Sequence, residues 1–117
     1  MNDLALLIEN YPTDFLHNCL NNIGTHDTVR IKTVLNKNDN LVMMAFGLLF
    51  MMPGVPCIYY GDEAGLIGKE DPDNRRYFPW GHEDKKIIDC VNSWTKIRKQ
   101  NPVLVNGKIG FVHLSYS

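Results

Sequence analysis

The sequence predicts an α/β arrangement with parallel strands, and three observations carry that expectation. Apolar residues recur at helical spacing in several separated stretches, two short runs (Leu20 to Gly24 and Val55 to Tyr60) lose that spacing, and a helix-length apolar segment lies between the runs. Strands that alternate with helices are joined by crossovers, which return the chain parallel to its start.

Each element has its own warrant. Asp3 to Glu9 carries Leu4, Leu7 and Ile8 on one side and reads as a short amphipathic helix stopped by Asn10-Tyr11-Pro12. A second helical turn starts at Pro12, with Phe15, Leu16 and Cys19 expected inward. Leu20 to Gly24 is the first strand and runs into the polar segment Thr25-His26-Asp27-Thr28. Val29 to Leu35 is helical again, with Ile31, Val34 and Leu35 inward, and Asn36 to Asn40 is a turn that offers N-caps. Leu41 to Met52 is an apolar helix ended by Pro53-Gly54. Val55 to Tyr60 has the β-branched and aromatic composition of a strand buried on both faces.

Gly61 to Trp80 shows no sustained period and reads as a long irregular loop, a length that in compact domains marks function or disorder. Ile87, Cys90, Val91, Trp94 and Ile97 restore the helical spacing, so Asp84 to Lys99 is a surface helix that stops before Asn101-Pro102. Val103 to Val105, a turn at Asn106-Gly107, and Ile109 to Leu114 then predict a β-hairpin, the beginning of an all-β appendage.

Composition bounds the function. A chain of 117 residues, 44% hydrophobic and 21% charged, is one globular domain or a piece of one. Twelve Lys plus Arg against 13 Asp plus Glu leave a net charge of -1, so there is no basic surplus for a nucleic-acid backbone, and neutral partners fit better. Three cysteines, Cys19, Cys57 and Cys90, do not make a disulfide framework, and the first residues lack the basic and apolar regions of a secretory signal. The expected compartment is therefore the reducing cytoplasm, with the mature chain beginning here. Leu41 to Tyr60 carries no charge, but its unbroken helical part spans roughly 18 Å at ~1.5 Å per residue against ~30 Å of bilayer core, which excludes a membrane span.

No cofactor is expected. His17, His26, His82, His113 and the cysteines lack metal-ligand spacing, Gly61, Gly65 and Gly68 lack the order of a dinucleotide turn, and no serine sits in a nucleophile elbow. What remains is the chemistry at the carboxyl ends of the two strands, where functional groups of parallel α/β proteins gather. Taken alone, His26-Asp27 reads more simply as a helix cap beside a solvated imidazole, and Asp62-Glu63 and Glu70 to Asp73 as turn chemistry that Arg75-Arg76 neutralises.

Together these segments form a more specific pattern: Gly24-Thr25-His26-Asp27-Thr28-Val29-Arg30, then Pro53-Gly54-Val55-Pro56-Cys57-Ile58-Tyr59-Tyr60-Gly61-Asp62-Glu63, then Asp71-Pro72-Asp73-Asn74-Arg75-Arg76 with Trp80. The pattern resembles the carboxyl-terminal part of the α-amylase family catalytic barrel, most closely the neopullulanase, cyclomaltodextrinase and maltogenic amylase group. That resemblance implies a piece of a TIM (β/α)8 barrel, with Leu20 to Gly24 as the seventh strand and Val55 to Tyr60 as the eighth. It implies residues 1–101 as barrel and 102–117 as the start of a β-sandwich domain.

The resemblance also implies roles in retaining hydrolysis of α-1,4 or α-1,6 glucosidic bonds in maltooligosaccharides, pullulan or cyclodextrins. Asp27 matches a carboxylate that stabilises the oxocarbenium-like transition state, and His26 a group that binds hydroxyls of the same sugar. Asp71 and Arg75 match positions that hold the glycone end of an α-glucan. Asp62 and Glu63 are expected to shape the site, and Trp80, with Tyr77 and Phe78, either stacks on pyranose faces or forms the loop's own packing. The family's nucleophile Asp and acid Glu would precede Met1, so the chain alone is expected to be inactive. A complete barrel needs ~250 residues. Missing its amino-terminal part, the chain is expected to self-associate through unpaired strand edges. The alternatives are a non-catalytic amylase-like carbohydrate-binding or scaffold module, and a small independent α/β domain that shares short motifs.

Overall fold

A computed structural model of the chain describes residues 2–110 and residue 112. In chain order the elements are α1 (Asn2–Asn10), α2 (Thr13–His17), β1 (Leu20–Asn21), α3 (Ile31–Val34), α4 (Asp39–Met51), β2 (Val55–Pro56), two 3-10 turns (Asp62–Ala64 and Asp73–Arg75), α5 (Lys85–Gln100) and α6 (Val103–Asn106). The two strands pair in parallel, Leu20 opposite Val55 and Asn21 opposite Pro56, so α3 and α4 form the crossover between them.

Local chemistry sets the ends of the long helices. Asn38 caps α4 by accepting the Leu41 amide at 3.3 Å. Beyond Met51 the chain turns at Pro53-Gly54, and Arg98 of α5 donates to the Phe50 carbonyl at 2.6 Å, an acceptor the helix end leaves open, and to the Gly54 carbonyl of the turn. Asp84 caps α5 through the Lys86 amide at 3.1 Å and also takes Lys32 Nζ at 2.9 Å. Lys32 lies 3.0 Å from Asp39 as well, so one ammonium ties α3 to the starts of α4 and α5. Burial alone would lower the Lys32 pKa, but the two carboxylates hold it above its ordinary value, and the Lys32 contact holds Asp84 below its own.

The core lies between α4 and α5. Val42, Phe46, Leu49 and Phe50 close over Ile87 and Val91, with Ile23, Ile31, Leu35, Ile58 and Trp94 packed around them. Burial of each large side chain there contributes roughly 1.5–3 kcal/mol. Ile23 follows β1 and Ile58 follows β2, which places this core on one face of the strand pair.

The other face is open, which corrects the expectation of a strand buried on both sides. Leu20 is 68% exposed and its partner Val55 47%. The strands are also shorter than expected. Pro56 has no amide to donate, and each strand has a single neighbour among the described residues, so pairing ends with the Cys57 amide on the Asn21 carbonyl at 2.7 Å. Phe15, expected inward, is exposed and stacks on Tyr11 at 5.3 Å, while Leu16 is the buried residue of α2.

The hairpin after Pro102 is corrected too. Val103 to Asn106 is the helical turn α6, for which Pro102 supplies a helix-ready φ of -55° and accepts the Asn106 amide at 2.9 Å, while the Gly107 amide closes on Val103 at 2.8 Å. These bonds form within the segment, whereas a strand needs a partner. Residues 108–110 and 112 are in no strand, and the rest of the expected second strand lies outside the described residues.

Candidate active site

The site is built at the ends toward which β1 and β2 run. After β1, the Thr25 amide donates to Thr28 Oγ1 at 2.9 Å, the Asp27 amide to Thr25 Oγ1 at 3.2 Å, and Thr28 Oγ1 back to the Thr25 carbonyl at 3.2 Å. Such threonine-closed turns hold their central residues away from the backbone that supports them. His26 and Asp27 stand at this apex with side chains 62% and 77% exposed, and His26 Nε2 lies 3.2 Å from Asp27 Oδ2.

Beneath the apex sits Arg30, only 1% exposed. Its guanidinium donates through Nε to the Asn74 carbonyl at 2.9 Å, and through Nη1 to the Tyr60 carbonyl and to Asp62 Oδ1 at 3.1 Å. The Tyr59 and Tyr60 rings lie 4.0 Å and 4.6 Å from its central carbon, so cation–π attraction adds to the hydrogen bonds. One side chain thus joins the loop after β1, the loop after β2 and the Asp71–Arg76 segment. Gly24 makes room for Asp62, the carboxylate partner of Arg30: a Cβ there would lie 2.4 Å from Asp62 Oδ2.

Asp62, expected to shape the site, is tied to this arginine. It is buried, and burial pushes its carboxyl up to about 6 even though the hydrogen bond and charge of Arg30 pull the other way. Glu63 is half-buried, with Oε2 enclosed and without a hydrogen-bond partner among the described residues.

The third segment docks onto the first through Asn74, which has no exposure and whose Nδ2 donates to the His26 carbonyl at 2.7 Å and the Thr28 carbonyl at 2.9 Å. Gly68 allows this approach, since a Cβ there would lie 2.6 Å from the Asp73 carbonyl oxygen. Beside Asn74, Arg75 forms a fork on Asp71 at 3.0 and 3.2 Å, and Arg76 a fork on Asp73 at 2.9 and 3.1 Å. Asp71 raises the Arg75 pKa most, with smaller contributions from Tyr59 and Asp27, so Arg75 lies within the field of the Asp27 carboxylate.

The expected residues separate into two groups. His26, Asp27, Asp71 and Arg75 stand on one rim, exposed or half-exposed and backed by buried Asn74 and Arg30. Trp80 is 79% exposed with Phe78 at 4.4 Å as its ring partner, and Tyr77 is 97% exposed. Arg30 and Asn74 received no role from the sequence. Nothing local marks either residue: Val34, the expected inward residue one turn beyond Arg30, is itself exposed. A groove of about 430 Å³ is apolar, is lined by Leu7, Phe15, Leu48 and Met52 among others, and includes none of the rim residues. Among the described residues no helix is long and apolar enough to cross a membrane, and no three His, Cys, Asp or Glu side chains converge on a common point.

Comparison with known proteins adds to this geometry. The family described as alpha amylase, catalytic domain, matches residues 1–100. An amylopullulanase of Thermoanaerobacter thermohydrosulfuricus is 38% identical over 91% of the chain, which spans 8% of that protein. A maltogenic alpha-amylase of Bacillus acidopullulyticus is 34% identical over 94% of the chain, which spans 19% of it. Among solved structures, the ligand-free cyclic α-maltosyl-(1→6)-maltose hydrolase of Arthrobacter globiformis is similar with a TM-score of 0.92 and 31% identity, covering 97% of this chain and 26% of its own.

Proposed function

The chain belongs to the α-amylase catalytic-domain family, and from that premise we propose that it is the carboxyl-terminal part of a retaining glycosidase barrel that cleaves α-glucosidic bonds in maltooligosaccharides, pullulan or cyclodextrins. The observation that carries this reading is the shared rim: the His26-Asp27 apex and the Asp71–Arg75 pair are joined through one buried amide. In this reading β1 and β2 are the seventh and eighth barrel strands, α5 is the last barrel helix, and residues 102–117 lead toward a further β-domain.

Glycosidic cleavage builds positive charge on the anomeric carbon and ring oxygen, so an exposed carboxylate at the apex stabilises the transition state more than the ground state. Asp27 takes that role and His26 holds hydroxyls of the same sugar. Asp71 and Arg75 offer an acceptor and a donor side by side, which suits the hydroxyls of a neutral glycone. Trp80 and Tyr77 present ring faces to pyranose surfaces.

Nucleophile and acid come from chain that precedes this segment. The same upstream part covers the open face of the strand pair and the apolar groove at Leu7, Phe15 and Met52. By itself the segment associates with further copies through those surfaces. We place it in the reducing cytoplasm because the three cysteines of the sequence are too few and too scattered for a disulfide framework.

The test is to assay maltotriose hydrolysis and to run size-exclusion chromatography on the segment alone and on the longer polypeptide that carries it. The segment is expected to be silent and oligomeric, and the longer polypeptide active. Turnover by the segment alone would end the fragment reading. A silent longer polypeptide that still binds the sugar would favour the non-catalytic module.

A further inference from the structure

We propose that Asn74 is a positioning residue that sets the place of the Asp27 carboxylate and its spacing from the Asp71–Arg75 pair; the inference rests on the glycosidase reading above. The two Nδ2 hydrogens of Asn74 go to the carbonyls of His26 and Thr28, the residues on either side of Asp27, at 2.7 and 2.9 Å. Two bonds that bracket a residue fix its Cα in a way that one bond cannot. The threonine bonds within the turn preserve its shape, but they do not tie it to the rest of the molecule.

Asn74 is itself held. Its carbonyl accepts Arg30 Nε at 2.9 Å, and Arg30 is anchored in turn on Asp62 and the Tyr60 carbonyl. The anchoring thus runs from the end of β2, through Arg30 and Asn74, to the backbone around Asp27. Because Arg75 follows Asn74 directly, the same residue fixes the distance between the group that meets the reacting sugar and the group that meets its neighbour. Fully buried, Asn74 reaches no substrate, and its neutral amide adds no charge beside Asp27. Its effect is therefore on placement, and a misplacement of about 1 Å near a reacting centre can cost about 100-fold in rate.

The test is a double-mutant cycle in the full-length protein on an aryl α-maltoside, with kcat, KM and thermal midpoint measured for each variant. Asn74→Ala is expected to lower kcat by about 100-fold with KM within about threefold, and to cost less than about threefold more when Asp27 is already Asn, because the carboxylate it positions is then gone. A residue that merely supports the fold would give multiplying losses, and that result would overturn the proposal. Asn74→Ser, which keeps one donor, is the second variant should the alanine protein not fold; it is expected to lose less and to show the same non-additivity. A neutral Asn74→Ala beside a crippled Asp27→Asn would overturn the positioning role alone. A neutral Asp27→Asn would remove both this role and the glycosidase reading.

Discussion

Replacing Asp27 by Asn in the full-length protein is expected to lower kcat on maltooligosaccharides roughly 100- to 1,000-fold, the range seen when one preorganised group is removed from a developing charge. KM is expected to change little, because a carboxamide still hydrogen-bonds a sugar hydroxyl in the ground state. The urea midpoint is expected to stay where it is. Asp27 is 77% exposed and, among the described residues, its ion-pair partner is the likewise exposed His26, at 3.2 Å, so little of the fold depends on it. Steady-state kinetics together with a urea melt check both halves. Unchanged turnover would remove Asp27 from the site, and a shifted melt with proportional loss of activity would make it a structural residue.

Arg30→Met has the opposite profile. Removing one partner from a buried charge pair is expected to destabilise the protein by about 3–5 kcal/mol, since Asp62 loses the guanidinium that holds its pKa down and must take up a proton or stay charged in a dry site. Here the loss reaches further, because the carbonyls of Tyr60 and Asn74 also lose their donor. Neutralising the remaining carboxyl in the double variant Arg30→Met, Asp62→Asn therefore recovers only part of the loss. Urea unfolding of the wild-type, single and double variants measures this. Equal midpoints for all three would show that the guanidinium does not hold the loops together.

The contrast between these two variants also marks what the sequence could disclose. α4 and α5 were legible because a long apolar run behind the capping turn Asn36 to Asn40, and apolar residues spaced by three and four from Ile87 to Ile97, are local signals. The parallel strand pair followed from the crossover between the two runs, although its length did not, since pairing depends on neighbours that sequence reading cannot supply. α6 was misread because Val103 to Val105 has strand composition. The competing signal, Pro102 ahead of a single hydrogen-bonded turn, is weak on paper and decisive where no strand partner is in place.

The rim itself was legible as three motifs in order, but not the buried polar links behind it. Arg30 finds its acceptor on Asn74, 44 residues away, and Asn74 reaches back 48 residues to His26. Bonds across such separations leave no periodicity. Asp62 was expected to shape the site, but its link to Arg30, 32 residues back, leaves no local mark either.

The most direct test of the shared rim is a crystal structure of the full-length Asp27→Asn variant with maltotetraose bound. Expected is one chain of adjoining glucosyl rings, with one ring against His26 and residue 27 and the next against the Asp71–Arg75 pair. Sugar seated in the apolar groove at Leu7 and Met52, or touching only one of the two pairs, would contradict it.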